Sequence, residues 1–170
     1  MLTSLLQDLR QPEYVHVLIN PMPVYGLATG VIGLIIALLL RSRHAQIAGL
    51  TIIILTAAMA WPVAHYGEEG YDRVLAMADD TGQVWLKVHA HRVDRFIWFF
   101  YALAVLAAAA IFAPMKWPRS QGALTIIALL LGLVVLGMGG YIAYAGGKIR
   151  HREFRNGPPP SPPPVEEEGD

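Results

Sequence analysis

Hydrophobic positions along this chain gather into four long stretches, at 21–40, 45–65, 96–114 and 122–145, with polar segments of unequal length between them. A bilayer core of ~30 Å takes ~20 helical residues, so the pattern predicts four membrane-spanning helices. The link at 41–44 is too short for anything but a tight turn, which makes helices one and two antiparallel neighbours. The link at 115–121 is also short. The substantial loop lies at 66–94, where Glu68, Glu69 and Asp72 are followed by Asp79 and Asp80, then by Lys87, His89, His91 and Arg92. From Val84 onward apolar residues are mixed with charged ones, so the third helix is expected to begin outside the membrane, near Thr81 and Gly82.

Two further segments flank the bundle expected at 16–151. Leu2, Leu5, Leu6 and Leu9 recur at helical spacing opposite Thr3, Gln7, Asp8 and Arg10, which predicts a short amphipathic helix at 1–15 lying in the interface and ended by Pro12. Residues 152–170 hold six of the twelve prolines followed by Glu166, Glu167 and Glu168, the pattern of an extended, disordered tail. The predicted fold class is all-α, an integral membrane four-helix bundle with an interfacial N-terminal helix and a proline-rich C-terminal tail.

Composition agrees with the pattern: 55% of the 170 residues are hydrophobic. The absence of cysteine excludes disulfides, thiolate zinc sites, iron–sulfur clusters and covalently attached c-type haem. A net charge of zero gives no argument for nucleic acid as a partner. The basic residues do not fix orientation. Four of the thirteen lie on the two short links and nine on the termini and long loop, yet Arg41 and Arg43 crowd directly after the first helix.

In lipid, close backbone approach holds helices together more than apolar surface does. Gly26 and Gly30 form a GxxxG in helix one. Gly139, Ala143 and Gly147 form a small-residue row in helix four, beside Gly132, Gly137 and Gly140. These rows are expected to pack the bundle internally, with presentation to another subunit as the alternative. Pro62 removes a backbone donor near the end of helix two and predicts a kink below His65.

The candidate chemistry is histidine. With four crossings, His16, His65, His89, His91 and His151 fall at one face of the membrane and His44 at the other. Bundles hold b-type haem with imidazoles from facing helices at matched depth, which singles out His65 and His91 as candidate axial ligands. His89 and His91 are two positions apart, about 200° around a helix, so only one of them faces inward. Asp94, three residues on, favours His91 by orienting its ring; His89 and His151 are secondary candidates. A carboxylate metal site from Glu68, Glu69 and Asp72 with His65 is a further alternative. No catalytic triad, phosphate loop or nucleotide fingerprint is present, and no charge sits mid-membrane where transporters place one.

The chain resembles a bacterial membrane family catalogued as domain of unknown function twenty-two thirty-one, over about residues 20–151. The matching pieces are Asn20-Pro21-Met22-Pro23-Val24-Tyr25, then Tyr66-Gly67-Glu68-Glu69-Gly70-Tyr71-Asp72, then His91, and last Gly146-Gly147-Lys148-Ile149-Arg150-His151. Asn20 and Tyr25 replace the two histidines that open the family's first helix, and Arg92 stands where an acidic residue is expected. The resemblance implies a bacterial inner membrane protein.

The leading expectation is a non-enzymatic accessory subunit of a respiratory or photosynthetic electron-transfer complex, without a cofactor. Its partners would be other membrane subunits, bound through small-residue faces and the tail at 157–170. The first alternative is a haem b electron carrier; the second is a free-standing metal- or lipid-binding membrane protein.

Overall fold

The computed structural model describes residues 6–161, and every regular element among them is helical. Helix α1 (Pro12–Ile19) opens with proline at its first position, where the missing N–H has no helical partner to lose. A π-helical turn at Met22–Gly26 carries the chain into α2 (Leu27–Leu39). Pro21 and Pro23 have no N–H to donate at this point, and the backbone takes the π-helical turn there.

Helix α3 (Arg43–Ala58) is capped by the Ser42 hydroxyl and breaks at Met59, where α4 (Ala60–Glu69) takes over. Pro62 cannot donate to Ala58, so the break falls below His65, as the sequence predicts. Helix α5 (Tyr71–Met77) follows, then the long α6 (Asp80–Lys116) and α7 (Gln121–Arg150). The stretch expected as a loop at 66–94 is therefore helical apart from short joins, because its apolar positions pack onto the bundle's end.

The continuous helical segments Pro12–Leu39, Arg43–Glu69, Asp80–Lys116 and Pro118–Arg150 are each long and apolar enough to cross a membrane. Their outer surfaces carry Ile32, Leu39, Val105, Phe112, Leu130 and Val134 exposed, the surface a bilayer would cover. Inside, α2 and α3 pack against each other, α3 against α6, α6 against α7 and α7 back against α2, closing a four-membered bundle around Leu27, Leu34, Leu50, Ile53 and Leu103. Gly30 and Gly49 act within the bundle. A Cβ at Gly30 would lie 2.8 Å from the Ile53 side chain, and one at Gly49 would lie 3.0 Å from the Leu34 backbone nitrogen.

Two arginines satisfy carbonyls that the helices leave open. Pro114 cannot donate to Ala110, and the Arg43 guanidinium donates there instead at 2.9 Å, and to Ile111 at 3.1 Å. At the opposite end Arg155 donates to the last carbonyls of α7, Lys148 at 2.8 Å and Ile149 at 2.7 Å. The same guanidinium grips both oxygens of Asp79 at 2.8 and 2.9 Å. Asp79 is the N-cap of α6, accepting from Gly82 N–H at 2.7 Å, and Arg152 reaches it at 2.9 Å. A Cβ at Gly82 would meet the Ile149 carbonyl at 2.6 Å, so glycine is what allows the two helix ends to approach.

The segment expected as a free tail from 152 is thus fixed through Arg155, whose side chain is only 10% exposed. Residues 157–161 are exposed and non-helical; the remainder of the proline-rich tail, and Leu2 and Leu5 of the expected interfacial helix, lie outside the described residues.

The Arg155 hydrogen bond, the Gly82 N–H and the neighbouring arginine charges hold the Asp79 carboxyl down at about 2. Its unfolded value is about 3.9, so the stabilisation is complete above about pH 4 and is lost as pH falls to about 2. Hydrogen exchange at 152–156 should accelerate across that window in the wild type. Asp79→Asn should show the faster exchange already at pH 6, with the acid step abolished.

Candidate functional site

Two histidines meet inside the bundle, and each is placed by the same device. The bend at Pro21 and Pro23 lays α1 along α4, so that His16 faces α4 and its Nδ1 lies 2.8 Å from the Val63 carbonyl. Four residues after that carbonyl comes Gly67, where a Cβ would lie 2.9 Å from His16 Nδ1 and 3.0 Å from Cε1. On the other side, His89 faces α7 and its Nδ1 lies 3.0 Å from the Ile142 carbonyl. Four residues after that carbonyl comes Gly146, where a Cβ would lie 3.1 Å from His89 Nδ1 and 3.2 Å from Cε1. Each ring therefore lies over a glycine and bonds to the carbonyl one turn earlier.

The hydrogen bonds fix the tautomers. A carbonyl oxygen only accepts, so each Nδ1 must carry the proton, and each neutral ring keeps a bare Nε2 lone pair. The two rings face each other edge-on, with centroids 6.5 Å apart and planes at 87°. Two imidazoles sharing one metal at about 2.0–2.1 Å each have ring centres roughly 6 Å apart, a separation close to that of this pair.

Around the pair lies a cavity of about 960 Å³. Small residues make the room: Ala60, Ala64, Ala90, Gly139 and Ala143 line it, with Ile97 and Phe100 as larger apolar walls. Polar groups gather at the rim, among them Tyr14, Glu68, Asp72 and Arg150. Glu13 and Arg73 pair at 2.7 Å and tie α1 to α5 beside it.

The residues singled out from the sequence are distributed differently. His65 turns outward, stacked on Trp61 with centroids 5.5 Å apart, and sits 3.5 Å from Glu69 with half its side chain exposed. His91 is exposed on the far side of α6. Of the two histidines on that helix it is His89 that faces inward, because the apolar face carrying Trp85, Leu86 and Val88 is what packs on α7. His65 and His91 do not meet. His151 is also outside the site, paired with Glu153 at 2.9 Å and stacked on Phe154. Glu68 and Asp72 stand at the cavity rim and Glu69 is held by His65, so the expected carboxylate cluster does not assemble. Among the described residues no group of three or more His, Cys, Asp or Glu could hold a metal ion.

His16 lay on the histidine-bearing face but had no assigned role. A signal for it exists in the sequence: Val63-Ala64-His65-Tyr66-Gly67 and Ile142-Ala143-Tyr144-Ala145-Gly146 share the form [Val/Ile]-Ala-x-x-Gly. Each stands on the helix whose carbonyl one of the two histidines bonds. No family model, curated protein or solved structure matches this chain.

If the glycines exist to admit the imidazoles, Gly67→Leu and Gly146→Leu should each lower stability in detergent by about 1–3 kcal/mol, the usual cost of overpacking. Gly140→Leu, at a position with nothing within 4 Å, should leave the melting temperature unchanged.

Proposed function

We propose that the chain is a b-type haem protein of the membrane that carries electrons, with His16 and His89 as the axial ligands. The observation that carries this reading is the facing imidazole pair, its Nε2 atoms bare and its centroids 6.5 Å apart, inside a cavity of prosthetic-group size. The donor set suits haem better than a bare ion. A free zinc or copper site draws three or four protein ligands, whereas haem iron brings its own four nitrogens and asks the protein for two.

His16 and His89 would hold the group from opposite sides. Val63 and Ile142 fix the ring orientations through Nδ1 and raise ligand basicity. The alanines and glycines of α4, α6 and α7 would leave room for a flat macrocycle, and Arg150 at the rim offers a cation to its carboxylates. Bound haem would supply one-electron chemistry; the protein's part is ligation and fixed charge. This ordering reverses the sequence-based expectation of an accessory subunit with no cofactor. Membership of the twenty-two thirty-one family stays part of the proposal, on the quoted residues alone.

A role inside a larger electron-transfer assembly is a second, compatible reading. Gly33, Gly137 and Gly140 have nothing within 4 Å, which leaves small-residue surface open on the outside of α2 and α7. Joint substitution Gly137→Leu with Gly140→Leu should shift the native-gel migration of solubilised membranes to a smaller species. Unchanged migration would remove this reading.

The haem proposal is tested by visible spectra of protein purified in mild detergent, oxidised and then dithionite-reduced. We expect a Soret band, a sharp reduced α-band and one haem per chain. His16→Ala and His89→Ala should each abolish the chromophore, while His65→Ala and His91→Ala retain it. A featureless spectrum from the wild type sinks the proposal; a chromophore lost in His65→Ala or His91→Ala and retained in His16→Ala sinks the ligand assignment.

A further inference from the structure

One end of the bundle carries basic residues and, among the described residues, no acidic one. No aspartate or glutamate occurs between Glu13 and Glu68 or between Asp94 and Glu153. Both short links lie inside those stretches, and they carry Arg41, Arg43, Lys116 and Arg119. Asp94 is the closest acid along α6, about six turns before Lys116 and about 33 Å away along the axis. Arginine–carboxylate pairs among the described residues are confined to the opposite end, Arg152 and Arg155 on Asp79 and Arg73 on Glu13.

The turn between α2 and α3 places one of these cations at a backbone cost. Arg41 N–H donates to the Leu38 carbonyl at 3.0 Å and Ser42 N–H to that of Ala37 at 3.1 Å, the paired bonds of a Schellman motif. Its corner residue takes a left-handed backbone, where glycine is the usual occupant because a Cβ is crowded; here Arg41 holds it at φ 51°. Yet the Arg41 side chain is exposed and makes no hydrogen bond or ion pair with the other described residues. The fold gains nothing from its charge. Lys116 and Arg119 are exposed as well, and the Lys116 Nζ lies 5.3 Å from the Trp117 ring centroid. Arg43 is held on the Ala110 and Ile111 carbonyls, neutral groups that leave its charge standing. Beside these cations Leu39, Leu40, Met115 and Trp117 are 61% to 81% exposed. Cations, long apolar side chains and an indole together are what the boundary between headgroups and acyl chains accommodates.

We infer that the end formed by the two short links is a binding surface for anionic phospholipid. Arg41, Lys116 and Arg119 meet the headgroup phosphates, and the neighbouring apolar side chains lie against the acyl chains. A soluble acidic partner would satisfy the cations and leave Leu39, Leu40 and Met115 in water; a lipid covers both kinds of side chain at once. With no nearby carboxylate of the chain to compete, each cation adds about fivefold to the preference for anionic lipid. The surface lies at the opposite end of the bundle from His16 and His89, so the inference stands apart from the haem reading.

The test is native mass spectrometry of the full chain in mild detergent, with equal amounts of dioleoylphosphatidylglycerol and dioleoylphosphatidylcholine added. The wild type should retain phosphatidylglycerol in clear preference. Arg41→Gly suits the left-handed turn, so it should melt no lower than the wild type and still lose about fivefold of that preference. Arg41→Gly combined with Lys116→Gln and Arg119→Gln should retain the two lipids nearly equally. Lys87→Gln with Arg95→Gln removes charge at the other end and should leave the preference unchanged. Should the triple variant not fold, Arg41→Gly alone decides. A wild type that retains both lipids equally overturns the inference. So does a preference that survives undiminished in Arg41→Gly, or one that falls as far in the Lys87 and Arg95 pair. An acidic protein that co-purifies with a wild type lacking lipid preference, and is lost from the triple variant, overturns it in favour of a protein interface.

Discussion

An imidazole N–H bonded to a helix carbonyl across a glycine is the contact on which the interior of this protein is arranged. It appears twice, His16 on Val63 over Gly67 and His89 on Ile142 over Gly146. A helical carbonyl has a second lone pair beyond its own hydrogen bond, but a side chain one turn later normally shields it. Glycine removes the shield, and the ring edge can then reach the carbonyl. The contact also ties α1 to α4 and α6 to α7. The two hairpins therefore present their rings to each other, and a cavity remains where larger side chains would otherwise have met.

The membrane-like character of the rest follows from a different constraint. Every backbone group within an apolar layer needs a partner inside the protein, so long helices are the form these stretches can take. Where proline removes a donor the chain answers locally: a π-helical turn absorbs Pro21 and Pro23, a break at Met59 absorbs Pro62, and Arg43 takes over the carbonyls below Pro114. Helix α1 packs along α4 just beyond the first two of these sites, with His16 on Val63. The Asp79–Arg155 clamp does similar work at the end of α7, where one guanidinium bridges the open carbonyls of that helix and the N-cap of α6.

Much of the architecture was legible because hydrophobic length and helical period are local properties. The four stretches, the tight turn at 41–44, the start of the third helix near Thr81 and the kink at Pro62 all come from runs of a few residues. The site was legible only as a face. His16, His65, His89 and His91 all belong at one end by topology, yet which of them point inward depends on helix rotation. The preference for His91 over His89 relied on Asp94 as an orienting neighbour. It gave way because Trp85, Leu86 and Val88 set the buried face of α6, and that face includes position 89. His65 was favoured by its depth, but the break at Met59 leaves it stacked on Trp61 at the surface.

The sequence by itself determined that the chain is four apolar helices with histidine at one end, since the length and period of apolar runs dictate both. It also carried, unread, the repeated [Val/Ile]-Ala-x-x-Gly that admits the rings. Tertiary structure alone decided which imidazoles meet, because a rotation of one residue, about 100° about a helix axis, exchanges an inward ring for an outward one. Such a rotation is set by packing between helices distant in sequence, such as α1 on α4 and α6 on α7. No spacing within a single helix encodes that choice.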